Sequence, residues 1–224
     1  VQTLHRLYSY DATYRLINES LSVSGPLVLP ASADVGYTLD DVGNRLSRTS
    51  TLPGVEPAVY GYDANDRLTS DTYDANGNTV AGRISAGAPV VNDTYDFEDR
   101  LIQRQATINS QPTTINVWYD GDGNRVAKTV NGVTTFYLVD DRNPSGYAQV
   151  LEEHVTINNQ QPTISRVYSY GHDLISQDQL LDDGQGGWVW TASFYGYDGH
   201  GNVRYLTSAT CEVTDTYDYD AFGT

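Results

Sequence analysis

A tyrosine-aspartate pair returns along the whole chain, each time followed by a short run of Gly, Asn or Arg. The clearest copies are Tyr8-Ser-Tyr10-Asp11, Tyr60-Gly-Tyr62-Asp63, Tyr73-Asp74, Tyr95-Asp96, Tyr119-Asp120, Tyr195-Gly-Tyr197-Asp198 and Tyr217-Asp-Tyr219-Asp220. Leu39-Asp40 and Tyr170-Gly171 are degenerate copies. The aspartates fall at positions 11, 40, 63, 74, 96, 120, 198 and 220, and most steps are 22 to 29 residues. A repeat of fixed period constrains architecture more than any local signal. About 22 residues is the length of a strand, a tight turn, a returning strand and a second turn. One unit is therefore expected to be one β-hairpin. Helical periodicity is absent, and the fold class expected is all-β: antiparallel hairpin repeats in a spiralling sheet, as a shell or solenoid-like strip.

Each residue of the unit has a physical reason. In Tyr-x-Tyr the two rings lie at i and i+2, on one face of a strand. Stacked units are expected to form tyrosine columns, since aromatic cross-strand pairs stabilise sheets. Asp opens the turn because its carboxylate can accept backbone N–H groups two residues on. Gly follows where the chain needs positive φ, as at Gly77, Gly123 and Gly201. In Asp63-Ala-Asn-Asp66-Arg67 an Asp and an Arg stand at the corresponding places.

Hairpins are legible elsewhere too. Asn131-Gly132 between Arg125–Val130 and Val133–Val139 is a two-residue hairpin signal. Ala106–Ile115 and Val155–Ile164 resemble each other, each with Asn, Gln and Pro at the expected tip. Leu174–Leu181 and Trp188–Tyr197 flank a third loop, 182–187. Ile115, Val117 and Tyr119 share a face with Trp118 opposite, and Trp188, Trp190, Ala192 and Phe194 share one. Ser, Thr, Asn and Gln take most outward positions, so one buried and one wet face are expected. Leu21–Ala33 breaks the rhythm and reads as an inserted loop, with Ser85–Pro89 a shorter break.

Charge and composition exclude several functions. A net charge of −16 disfavours nucleic acid, which needs clustered Lys and Arg, and disfavours an anionic membrane surface. Lys128 is the one lysine and Cys211 the one cysteine, so neither an internal disulfide nor a thiolate metal cluster can form. No apolar stretch is long enough to span a bilayer. The chain opens on Val and stops inside a repeat, which reads as a piece of a longer polypeptide.

The sharpest site candidate is calcium at Asp120, Asp122 and Asn124, where oxygen ligands alternate with glycines. The bidentate Glu of an EF-hand is missing, because Asn131 occupies that place. A turn capped by its own Asp and Asn side chains is the competing account, and no cofactor is expected. The adjacent pairs Asp40-Asp41, Asp140-Asp141 and Asp182-Asp183 point to opposite faces if they lie on strands. His5, His154, His172 and His200 lack ligand spacing. Trp118 and Tyr73 are candidates for stacking on sugars if their rings are open.

Together these residues resemble the YD-repeat, or Rhs, proteins. The resemblance covers essentially the whole chain. It is more specific from Val117 on, through Trp118-Tyr-Asp-Gly-Asp-Gly-Asn-Arg125, Asn143-Pro-Ser-Gly-Tyr-Ala-Gln-Val150, Tyr168-Ser-Tyr-Gly-His-Asp-Leu-Ile-Ser176, Tyr197-Asp-Gly-His-Gly-Asn-Val-Arg204 and Tyr217-Asp-Tyr-Asp-Ala-Phe-Gly223. It implies a YD-repeat segment over 1–116 and the start of a repeat-associated core over 117–224, continuous in one sheet. It also implies a bacterial, secreted or cell-surface protein whose wall encloses a toxin. The expectation is a non-catalytic scaffold, not an enzyme, with no catalytic residue carried over. The alternative is an adhesin or self-assembling surface module. Expected partners are the rest of its own polypeptide or further copies through sheet edges, an enclosed toxin or glycans, without nucleic acid or membrane insertion.

Overall fold

The computed structural model describes residues 3–24, 32–83, 89–156, 161 and 163–219. Among them all regular structure is β-strand. The first sheet runs β1 (Thr3–Tyr10), β2 (Leu16–Ser24), β3 (Ser32–Leu39), β4 (Arg45–Ser50) and β5 (Ala58–Val59). The second runs β6 (Thr72–Tyr73), β7 (Thr79–Arg83), β8 (Val90–Tyr95), β9 (Leu101–Ile108), β10 (Gln111–Tyr119), β11 (Arg125–Val130) and β12 (Val133–Asp140), then β13 (Gln149–Thr156), β14 (Thr163–Tyr170), β15 (Leu174–Asp182), β16 (Trp188–Tyr197), β17 (Val203–Thr207) and β18 (Val213–Thr216). Within each sheet every strand lies beside its sequence neighbours, and neither sheet closes into a barrel. The strands pair antiparallel, so short turns suffice to connect them. The all-β, antiparallel hairpin fold expected from the repeat is the fold observed.

The chain resolves into two compact units, Val1–Asn92 with Tyr219–Thr224, and Asp93–Asp218. In the first, alternation along β2 and β3 sends Leu21, Ala33, Val35 and Tyr37 inward to meet Leu52 and Val55. Glu19 is fully buried on β2, and its Oε2 accepts a bond from Arg6 Nη1 at 3.2 Å. A buried carboxylate needs such a partner, because desolvating an isolated charge is costly. The segment expected as an inserted loop, 21–33, is strand at both ends: Leu21–Ser24 close β2 and Ser32–Ala33 open β3. The apolar-polar alternation of Leu21-Ser-Val-Ser is a strand signal that outweighs the later Gly and Pro. Residues 25–31 lie outside the described residues, as do 85–88 of the second expected break, Ser85–Pro89.

In the second unit the registers of β10 to β18 sort side chains onto two faces. One carries Val117, Tyr137 and Leu206, exposed by 9%, 9% and 6%. The other carries Trp118, Trp190 and Phe194, exposed by 47%, 47% and 40%. The outward face thus carries exposed aromatic rings among the polar residues expected there, such as Asn116, Thr129, Thr134 and Asp178. Period-2 patterning tells which residues share a face but not which face is covered.

The hairpin at Asn131-Gly132 is present, with φ of +49° and +89° as a type I′ turn requires. The 106–115 hairpin turns instead on Asn109 and Ser110, both at positive φ. Pro112 lies within β10, paired with Thr107, rather than at the tip. The tip of its sequence twin lies outside the described residues. The third hairpin joins β15 to β16 as expected, with β15 running one residue further, to Asp182.

Gly196 on β16 lies under the Tyr205 ring of β17: a Cβ there would stand 2.2 Å from ring atoms. Gly196→Ala is therefore expected to lower stability by about 1–3 kcal/mol through overpacking. Urea melts of Gly196→Ala alone and combined with Tyr205→Ala check this, because removing the ring should abolish most of the alanine penalty. Equal penalties in both backgrounds would contradict the contact.

Candidate functional site: the aspartate turn and its tyrosine

The recurring chemistry is a five-residue turn built on one carboxylate. At Asp120 the main-chain N–H receives closure from Asn124, donating to the Asn124 carbonyl at 3.0 Å, and Gly123 N–H donates to the Asp120 carbonyl at 3.2 Å. Asp120 Oδ1 accepts from the N–H groups of Asp122 and Asn124 at 3.0 and 2.9 Å, and Oδ2 accepts from Asn124 Nδ2 at 3.2 Å. The same main-chain closure recurs at Asp11, Asp40, Asp63, Asp74, Asp96 and Asp198. In each, Oδ1 takes N–H groups two and four residues on. Asp220 lies outside the described residues.

The fourth position of the turn is left-handed, and its identity is coupled to the fifth. Gly43, Gly77, Gly123 and Gly201 are each followed by Asn. Tyr14, Asp66 and Asp99 occupy the same conformation at φ of +62°, +59° and +59°, and each is followed by Arg. A Cβ in the left-handed region costs about 1–2 kcal/mol. Where that cost is present, Arg Nε donates a charge-assisted bond to the turn carboxylate: Arg15 to Asp11 at 2.7 Å, Arg67 to Asp63 at 2.9 Å, Arg100 to Asp96 at 2.8 Å. Two turns escape the tyrosine signature. Asp183 Oδ1 caps Gln185 and Gly187, and Ser208 Oγ caps Thr210 and Glu212 with Cys211 left-handed at the fourth place. Gly186, just before Gly187, was the legible clue at the first.

These bonds set the carboxyl electrostatics. The Arg15 N–H first, then its guanidinium and Thr13, hold Asp11 well below the ordinary 3.8. The Arg67 guanidinium does so at Asp63, the Asn78 amide at Asp74, and the Asn124 N–H at Asp120. At Asp40, Asp96 and Asp198 partial desolvation pushes upward but is outweighed by the same turn donors. A carboxylate so engaged makes a poor general base and directs its lone pairs at its own turn rather than at a cation. Among the described residues no cluster of three or more His, Cys, Asp or Glu is placed to hold a metal.

At several copies a tyrosine hydroxyl ties the turn to an earlier one. Tyr119 O–H donates to the Leu101 carbonyl at 3.0 Å, Tyr62 to Arg45 at 3.1 Å and Tyr73 to Leu68 at 3.2 Å. Leu101, Arg45 and Leu68 each directly follow the preceding turn. Tyr170 and Tyr197 donate to Val150 and Leu174 at 3.0 and 2.6 Å. Ring faces receive cations: Arg45 over Tyr60 at 4.7 Å, Arg67 over Tyr73 at 4.9 Å and Arg100 over Tyr119 at 5.1 Å. The expected cross-strand columns thus give way to guanidinium-on-ring contacts at these positions. Tyr195 and Tyr197 do stack, at 6.5 Å, but along one strand. Tyr10 is exposed, and Tyr73, the sugar candidate, has its ring covered by Arg67. Tyr95 ends β8 and Tyr219, beyond β18, offers its carbonyl to Arg6 Nη1 at 3.1 Å.

No family model matches the chain. It is similar to the tRNA3(Ser)-specific nuclease WapA of Bacillus spizizenii, 31% identical over 196 residues covering 84% of this chain. The tRNA nuclease WapA of Bacillus subtilis strain 168 is 31% identical over 199 residues, again 84% of the chain. The tRNA(Glu)-specific nuclease WapA of Bacillus subtilis subsp. natto is 31% identical over 155 residues, 69% of the chain. The chain spans about 7% of the length of the first two relatives. Among solved structures, TcdB2-TccC3-TEV aligns over 97% of this chain and 12% of its own, with a TM-score of 0.35 and 14% identity. TcdB2-TccC3 without its hypervariable C-terminal region aligns over 96% and 12%, with a TM-score of 0.36 and 13% identity. Likenesses that low carry no argument. The nuclease names of the sequence relatives overturn the expected non-catalytic scaffold, its adhesin alternative and the expectation of no enzyme. The error has a physical source: composition and motifs speak only for the residues present.

Two outcomes test the turn. Tyr119→Phe removes a hydroxyl that bonds the Leu101 carbonyl and should cost about 1 kcal/mol in chemical unfolding; an unchanged midpoint would contradict the bond. The turn carboxyls have lowered folded values, so their stabilisation is present above 3.8 and is lost as pH falls through those lower values. The melting temperature should therefore drop between pH 5 and pH 2. Asp74→Asn with Asp120→Asn should start lower at pH 5 and drop less steeply, as calorimetry across that range would show.

Proposed function

We propose that the chain is a segment of a bacterial tRNA-cleaving nuclease of the WapA kind, secreted or displayed at the cell surface, and a member of the YD-repeat (Rhs) family. Residues 1–116 are its YD-repeat part and 117–224 the start of the repeat-associated core. The observation that carries this reading is the 31% identity over 196 residues, most of the chain, to a protein named for tRNA cleavage. The recurrent Tyr-Asp turn supports the family assignment, because its geometry repeats at seven aspartates.

Relatives named for two different tRNAs match most of this chain at the same identity. That supports placing tRNA choice outside the matched residues. The turn carboxylates are poor candidates for the cleavage step, since each already accepts two or more N–H groups of its own loop. The net charge of −16 likewise argues that the polyanionic backbone of a tRNA is gripped elsewhere in the polypeptide.

The full-length polypeptide containing this chain, purified and incubated with total tRNA, should cut a subset of tRNAs into discrete fragments on a denaturing gel. Intact tRNA after incubation with a folded, full-length preparation would overturn the reading.

A further inference from the structure

A tyrosine outside the Tyr-Asp pairs lacks the hydroxyl bond that Tyr62, Tyr73, Tyr119, Tyr170 and Tyr197 make. Tyr137 on β12 is 9% exposed, and its hydroxyl is buried without a hydrogen-bond partner among the described residues. A buried donor left unmade costs about 1–3 kcal/mol, so an acceptor is expected there. Two cations lie against its ring, Arg125 at 5.2 Å and Lys128 at 5.9 Å. Neither has a carboxylate partner among the described residues, although the chain is strongly acidic.

The register places a third cation on the same face. Tyr137 lies opposite Glu153, and Glu153 opposite Arg166. Arg166 Nε is also buried without an acceptor. The one carboxylate between them is engaged: Glu153 Oε1 accepts from Tyr168 O–H at 2.8 Å and lies 3.7 Å from Arg166 Nη1. The strands β11 to β14 are charge-balanced as a whole, but on this one face they set three cations against one carboxylate and leave two donors unsatisfied.

We propose that Arg125, Lys128, Tyr137 and Arg166 bind a tetrahedral oxyanion, a phosphate group. The donors come from three separate strands, and a tetrahedral anion offers them more acceptor directions than a planar carboxylate does. The dianionic charge suits three cations against one engaged glutamate. The ring of Tyr137 is taken by cations, so recognition is of the phosphate and not of an attached aromatic base.

Thermal melts of the 224-residue chain in inorganic phosphate, with chloride balanced to constant ionic strength, test this. Phosphate should raise the midpoint in a saturable manner, and acetate at equal concentration should do so much less. Lys128→Gln and Tyr137→Phe should each weaken the apparent phosphate affinity about tenfold. In chloride alone Tyr137→Phe should not lose stability, since no partner is removed. The proposal is overturned by any of four results: no response beyond chloride, an equal response to acetate, an undiminished response in Lys128→Gln, or a Tyr137→Phe that loses as much in chloride as Tyr119→Phe. That last outcome assigns the hydroxyl to an internal water. Should Tyr137→Phe not fold, Lys128→Gln, at a half-buried strand position, decides the matter by itself.

Discussion

The carboxylate that folds back onto its own turn is the interaction on which this architecture depends. A strand ending in a tight reversal leaves N–H groups pointing inward with no strand partner. In this chain an Asp Oδ1 collects two of them, from the second and fourth residues after it, at 2.8 to 3.1 Å across the copies. The ladder slips by one residue just before several of these turns, at Tyr10, Leu39, Tyr73, Tyr119 and Tyr197. Such a bulge increases local twist and redirects the next side chain. The residue so redirected is the tyrosine or its substitute, which explains why the pair travels as a unit.

Apolar burial is thin for so many strands. The first unit has one compact cluster around Val35, and the second buries Val117, Ala127 and Leu206 at separate places. Polar coupling between successive hairpins takes up part of the load. A phenol hydroxyl bonds the residue just after the previous turn, and an arginine leaving that turn covers the next ring. Each contact joins a hairpin only to its neighbour, which is the condition for stability to behave as a sum of local and nearest-neighbour terms. Phe would supply the ring without the hydroxyl, so the choice of Tyr follows from the bond rather than from hydrophobicity.

Much of this was legible before any coordinates. Asp followed by Gly and Asn names a turn, and Asn131-Gly132 names a hairpin, because both depend on neighbours in sequence. What stayed hidden depends on partners far along the chain. Tyr119 meets Leu101 eighteen residues away, and no local pattern says where a hydroxyl points. The loop 182–187 is legible in sequence, but its capping by Asp183 and the turn at Ser208 are not, because neither follows a tyrosine, although the same donors and spacing are present. Pro112 was placed at a hairpin tip on propensity, yet Asn109 and Ser110 both accept left-handed backbone and take the turn instead. The aromatic exposure of Trp118 and Trp190 was likewise invisible, since alternation assigns sides and not cover.

The same logic separates what this segment shows from what its relatives do. The turn aspartates lie in a recurring geometry that holds their carboxyls ionised and occupied, and a catalytic base needs the reverse, a free lone pair near its working pH. Recurrence itself argues for a structural duty, because a reaction centre needs one arrangement and not seven. The exception is therefore the informative place to look. Tyr137 has cations against its ring, as the repeat tyrosines do, but no carbonyl for its hydroxyl, and Arg166, two strands away on the same face, has an Nε without an acceptor. Where a repetitive sheet leaves donors unmatched on one face, an acceptor from outside the repeat is the natural complement.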